Sequence, residues 1–246
     1  MKASVSPVAL LVALLIGSAA SGLFAQDAVV QKDGQRREGQ VVGVKGDAVR
    51  IKVGPVETGI PLANVASVVM QPPKAFDDAL AAWEKGDAPG TLKILKPLVA
   101  TYNGLPAPWA SRAAALLGEV YLATGNLPEA EASFASFQKL YPDASSLADI
   151  GLARLAVAKK NYSEARTKLA PILDKAKKTL APEREESAIY GQALLLMGEV
   201  QESSGENAEA LENYLLAVTI FREDQAVVAK ANERASALKE KNVVVP

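Results

Sequence analysis

Residues 116–142 read LLGEVYLATGNLPEAEASFASFQKLYP, and the spacing of their small and aromatic residues decides the fold. Gly118 and Ala130 are small where two antiparallel helices must approach closely, and Tyr121 and Phe134 fill the space around that contact. Gly125 supplies a left-handed residue that ends a first helix, Asn126 to Pro128 starts a second, and Pro142 prevents its continuation. The stretch reads as a helix hairpin built to stack.

One such hairpin cannot bury its apolar face alone, so copies are expected. LARLAVAKKNYSEARTKL, residues 152–169, carries NYSEA where the first copy has NLPEA, with Ala153, Ala165 and Leu169 at the small, small and large places. LLLMGEVQESSGENAEALENYLLAV, residues 194–218, repeats the pattern through Met197, Gly198, Gly205, Ala210 and Tyr214. A fainter copy, FDDALAAWEKGDAPGTLKILKPL at 76–98, has Ala79, Gly86 and Leu95. The turn residues Gly86, Gly125, Lys160 and Gly205 are unevenly spaced, which puts insertions before the second and fourth copies, in YNGLPAPW at 102–109 and KAKKTLAPEREE at 175–186. A final helix over 225–241 places Val228, Ala231, Ala235 and Leu238 on one stripe and charges elsewhere, the pattern of a polar-backed cap.

With Leu117, Gly118, Tyr121, Gly125, Ala130, Phe134 and Pro142 at the signature places of a 34-residue unit, the chain resembles the tetratricopeptide repeat family, departing at Ala114 where the family often has Trp. The resemblance implies a mostly α fold over residues 74–241: about four helix-turn-helix hairpins, near 74–105, 111–144, 146–179 and 191–224, plus the cap. It also implies that the first helix of each hairpin lines a concave groove. Carried over position by position, the implied lining is Phe76, Leu80 and Trp83; Arg112, Glu119 and Leu122; Ile150, Arg154 and Val157; and Gln192, Leu195, Glu199 and Glu202. Trp83 serves either a partner or the contact with the preceding domain. The Lys and Asn set with which some members clamp a peptide's terminal carboxylate is missing.

Residues 27–71 turn to Val, Gly and charge, in short alternating runs: AVVQ at 28–31, EGQVVGV at 38–44, DAVRIKV at 47–53, VETGI at 56–60 and NVASVVM at 64–70. Gly46 makes the tight turn of a hairpin. Five short strands, with a one-turn 3₁₀ element before the last, resemble a small SH3-like or Sm-like barrel. No aromatic residue for base stacking lies between Ala28 and Met70, so an RNA-binding role is disfavoured.

Lys2 is the lone charge before Asp27, and Val8 to Ala20 forms a short apolar run. At about 13 residues it falls short of a membrane-crossing helix and reads as a secretory signal over 1–25, cleaved after Ala25. Retention as an anchor is the alternative. No Cys follows for lipid attachment, so the mature chain is expected in the bacterial periplasm without a membrane span.

Composition narrows function further. Lys and Arg total 27 against 28 Asp and Glu, which gives no general pull toward nucleic acid or an anionic surface. Cysteine and histidine are both absent, closing disulfides, thiolate and imidazole catalysis and every zinc site that uses those ligands. Acidic residues are dispersed along amphipathic helices, so no carboxylate pair for glycan hydrolysis stands out. Neither a catalytic residue nor a cofactor or metal site is expected. Eight basic residues lie between Arg154 and Lys178, and eight acidic ones between Glu183 and Glu212. These runs either pair with each other or form separate docking surfaces.

The expected function is a non-enzymatic adaptor that holds an envelope protein in its groove. In organisation it resembles exported repeat proteins that accompany energy-transducing envelope machinery. The alternative is a structural component of an envelope or secretion assembly that contacts copies of itself.

Overall fold

A computed structural model describes residues 26–179 and 181–245. The expected leader and its cleavage point, within 1–25, lie outside them.

The first unit holds β1 (Ala28–Gln31), β2 (Arg36–Glu38), β3 (Gln40–Lys45), β4 (Ala48–Val53), β5 (Val56–Pro61) and β6 (Val65–Val69). They form two antiparallel three-stranded sheets, ordered β2-β1-β6 and β3-β4-β5. The expected strand over 38–44 is realised as β3, and an additional short strand, β2, precedes it across a break at Gly39. A side chain there would stand 2.6 Å from the Lys52 carbonyl, and the Gly39 amide donates to the Asp27 carbonyl at 3.0 Å. The Asp27 carboxylate also accepts from the Val41 amide at 3.0 Å, fixing the bend from the other side. The expected 3₁₀ turn is present at Leu62–Asn64.

A closed barrel is not. Among the described residues no ladder joins β5 to β6, and the Val68 amide of β6 donates instead to Pro106, beyond the sheet, at 2.9 Å. The two sheets still share one core through Val29, Val41, Val49, Ile51, Ile60, Val65 and Val68.

The rest is helical: α1 (Lys74–Glu84), α2 (Ala88–Tyr102), α3 (Pro108–Ala123), α4 (Leu127–Leu140), α5 (Ser145–Ala158), α6 (Tyr162–Lys178), α7 (Arg184–Ser203), α8 (Asn207–Thr219) and α9 (Gln225–Glu240). This is the expected solenoid of four hairpins and a cap. All four hairpin turns pass through a left-handed residue: Gly86, Gly125 and Gly205 with φ of 76°, 75° and 81°, and Lys160 with φ of 59°. Three of the second helices begin beside a local cap or proline; Asp87 accepts from the Gly90 amide at 2.9 Å and Asn161 from the Glu164 amide at 3.3 Å, while Pro128 stands in the first turn of α4.

Gly118 explains the hairpin's close approach. A Cβ built there would lie 2.4 Å from the Phe134 ring, and one built at Gly151 of the next hairpin would lie 2.2 Å from the same ring. Phe134 is thus clamped between two helix backbones, fully buried with Ala130 and Leu155. Gly198 meets Tyr214 the same way, at 2.4 Å.

The insertion at 102–109 spans the end of α2, a loop over 103–107 whose Gly104 amide donates to the buried Tyr141 hydroxyl at 2.8 Å, and the start of α3. It delivers Trp109 into the core, 6.0 Å from the Phe76 ring and 5.1 Å from Tyr102. The segment 175–186, read as an insertion between copies, is mostly absorbed by longer helices: α6 runs to Lys178 and α7 starts at Arg184. On α9 the buried stripe is Val227, Ala231, Ala235 and Leu238. Val228 is only half-buried, because a four-residue step back from Ala231 reaches Val227.

The β unit is welded to the solenoid. Gly43 of β3 has φ of 142°, and a side chain there would stand 2.6 Å from the Thr101 carbonyl of α2. One hydrophobic core runs from Val29 through Phe76, Leu95 and Trp109 to Phe137, and a second from Ile150 to Leu238.

Candidate functional site

The groove residues were assigned to the first helix of each hairpin, α1, α3, α5 and α7, and the cap α9 lies beside α7. On these helices the polar residues reach sideways to one another. Glu119 of α3 pairs with Arg154 of α5 at 2.8 Å. Arg154 also donates to the Gln192 side-chain oxygen of α7 at 3.5 Å, and the Gln192 amide donates to Asp224 at 3.2 Å. Asp224 in turn caps α9 through the Ala226 and Val227 amides. One polar chain therefore crosses from the second hairpin to the cap.

A second set ties α7 to α9. Glu199 lies 2.6 Å from Lys230, a charge contact without hydrogen-bond geometry for its buried oxygen. Glu202 lies 3.7 Å from Arg234 and accepts from the Tyr214 hydroxyl beneath it at 3.0 Å. Burial, then the neighbouring Glu202, raises the Tyr214 pKa well above the ordinary tyrosine value. Val157, Glu199, Glu202, Ser203 and Arg234 line a cavity of about 410 Å³ there.

Three assigned lining residues are not surface at all. Phe76, Ile150 and Leu195 are 2%, 2% and 8% exposed. Trp109 packs against Phe76, and Ile150 and Leu195 belong to the second core. They are corrected to core positions. Leu80, Trp83, Leu122 and Val157 are half-buried, each with part of its surface open. Arg112 is exposed, its guanidinium 6.0 Å above the Phe76 ring, and has no ion pair among the described residues.

The repeat-signature residues fall where packing needs them. Ala130, Ala165 and Ala210 are fully buried at the start of α4, α6 and α8, and Phe134 and Tyr214 fill the hairpin interiors. Tyr121 is half-buried, and Pro142 opens a short 3₁₀ turn after α4. Sequence reasoning missed Gly151, and it missed Asp224, Lys230 and Arg234 as members of the charged face. The cap read as closing the core; its polar back pairs with α7 through Lys230 and Arg234.

The charge runs are partly paired: Lys175 with Glu186 at 2.6 Å, and Arg166 with Glu206 at 2.8 Å. The hydrogen bond between Lys175 and Glu186 holds the carboxyl below its usual pKa and the ammonium above its own. Arg154, by contrast, takes its carboxylate from the preceding hairpin.

Among the described residues no three His, Cys, Asp or Glu side chains gather as a metal site, and no helix is long and apolar enough to cross a membrane. No protein-family model matches the sequence, and comparison with curated proteins gives no match. Solved structures similar to the chain include a crystallised single-residue variant of nearly identical TPR-like repeats of a Podosopora anserina kinesin light chain, at 17% identity and TM-score 0.46, over 68% of this chain and 91% of that one. MamA from residue 41 onward, from Desulfovibrio magneticus RS-1, is similar at 14% identity and TM-score 0.44, over 69% and 93%. A further MamA crystal structure gives 19% identity and TM-score 0.41, over 67% and 94%. Likenesses of this degree carry no argument about partner or site.

Proposed function

We propose that the chain is a non-enzymatic adaptor, exported to the periplasm, that holds a segment of another envelope protein against the face formed by α1, α3, α5, α7 and α9. The observation that carries this reading is the lateral pairing on that face. Glu119, Arg154, Gln192 and Asp224 satisfy one another in a chain, so the face keeps its shape when empty. Half-buried Leu122 and Val157 share α3 and α5 with these charges, and half-buried Leu80 and Trp83 stand on α1 at the end of the row. Apolar footholds framed by a prearranged polar rim suit an extended or helical polypeptide.

Export rests on the leader pattern of Lys2 and Val8–Ala20, and mass spectrometry of the mature protein should find Gln26 or a neighbour first. For binding, the test is capture of partners from an envelope extract by the wild type and by Trp83→Ala/Arg112→Glu. An aromatic foothold is worth about 2 kcal/mol when fully engaged, so the double variant should release a captured partner while still melting cooperatively. A partner held equally by both proteins contradicts the assignment of the face.

A further inference from the structure

The two sheets have four edges, and three are short and charged, bonded elsewhere or covered. β2 is three residues long and fully charged; β6 is bonded to Pro106; β3 lies against α2 through Gly43 and Thr101. β5 alone presents six residues, VETGIP, with no neighbour beyond β4 among the described residues. Such an edge is a template for another strand.

Its register fixes which groups are free. Val53 faces Val56 across a two-residue turn, so odd residues of β4 bond to β5 through Val56, Thr58 and Ile60. The Leu62 amide donating to the Asp47 carbonyl follows the same alternation. The amides and carbonyls of Glu57 and Gly59 therefore point outward. Arg50 reaches across β5 over Gly59, where a Cβ would stand 2.9 Å from its guanidinium, and pairs with Glu57 at 2.7 Å. Val53 and Val56 are 52% and 57% exposed at the tip.

We infer that β5 pairs with β5 of a second copy, antiparallel about a two-fold axis through Thr58. In that register Glu57 of each copy lies opposite Gly59 of the other, so both outward amides and both outward carbonyls of each strand are bonded. The strand complements itself. Glu57 then lies beside the guanidinium that crosses the other copy's Gly59, exchanging each internal Arg50–Glu57 pair for one between copies. Val56 stands against the other copy's Ile60 position, covering the exposed tip. Pro61, which lacks an amide, falls outside the bonded pairs. The solenoid packs on β3, at the opposite edge of the sheet, and leaves the pairing edge clear. This inference concerns the β unit and is independent of the groove.

The test is sedimentation of the full chain from micromolar to submillimolar concentration, with the charge-reversed variants Glu57→Arg and Arg50→Glu. The wild type should pass from monomer to dimer. Each variant should weaken association at least tenfold, since it sets like charges together twice. Mixed in equal amounts they should dimerise with each other, because Arg50 of one then meets Glu57 of its partner and the two reversed residues meet each other. Amide exchange supplies a reading without substitutions: Glu57 and Gly59 should become protected as concentration rises. A wild type that stays monomeric throughout, or a dimer that either variant leaves intact, overturns the inference.

Discussion

Gly118→Ala adds one methyl group at a helix position where alanine normally helps. Intrinsic propensity favours the change by about 0.5–1 kcal/mol. The built Cβ, however, stands 2.4, 2.6 and 2.8 Å from three atoms of the Phe134 ring. Ordinary contact needs the ring to retreat by about 1 Å. It has nowhere to go, because a Cβ at Gly151 on the other side would already be 2.2 Å from the same ring. Overpacking of this kind costs about 1–3 kcal/mol, so the net loss should be about 1–2 kcal/mol. The chain contains its own control. The corresponding pairs in the other hairpins are Ala79 with Leu95, Ala153 with Leu169 and Gly198 with Tyr214. Glycine accompanies the aromatic and alanine the leucine. Importing the third hairpin's pair as Gly118→Ala/Phe134→Leu should therefore recover part of what the single changes lose, with a coupling of about 1 kcal/mol in a double-mutant cycle. Urea unfolding at constant m reads each term. If Gly118→Ala is as stable as the wild type, or the double variant loses the sum of both singles, the packing argument is wrong.

Two further outcomes concern a hairpin turn and the buried tyrosines. Lys160 holds a left-handed turn without being glycine, so Lys160→Gly should raise stability by about 0.5–1 kcal/mol despite the added freedom of the unfolded chain; a loss in thermal melting would show that the lysine side chain matters there. Tyr214 and Tyr141 have raised pKa values from burial, Tyr141 pushed up to about 12. Their protons are held more tightly folded than unfolded, so the stabilisation is complete below the free value of 10.0 and is lost as pH rises through the folded values. Tyr214→Phe should lose about 1 kcal/mol near neutral pH with its hydrogen bond to Glu202 but fall less steeply above pH 10. Parallel pH profiles for the two proteins would refute that role for the buried hydroxyl.

The hairpins were legible because their determinants are local: a small residue, a turn residue and an aromatic at fixed intervals within one copy. The 3₁₀ turn at Leu62–Asn64 was legible for the same reason. What sequence could not supply was the relation between copies. Gly151 matters only because Phe134 comes from the hairpin before it, and Asp224, Lys230 and Arg234 only because the cap lies beside α7. Phe76 looked like lining by position, yet Trp109, delivered by an insertion, packs against it. The barrel that the strand pattern suggested stays open because β5 and β6 do not pair and the Val68 amide bonds Pro106 instead, a long-range choice that the alternation within each strand does not mark.

The face of first helices is tested most directly by site-specific photocrosslinking of a captured envelope partner. A crosslinker at the exposed Arg112 of α3, on the face that carries Glu119 and Arg154, should label that partner. One at Lys139, exposed on the second helix α4, should not. Labelling from Lys139 with none from Arg112 would place the partner on the opposite side of the solenoid and contradict the account.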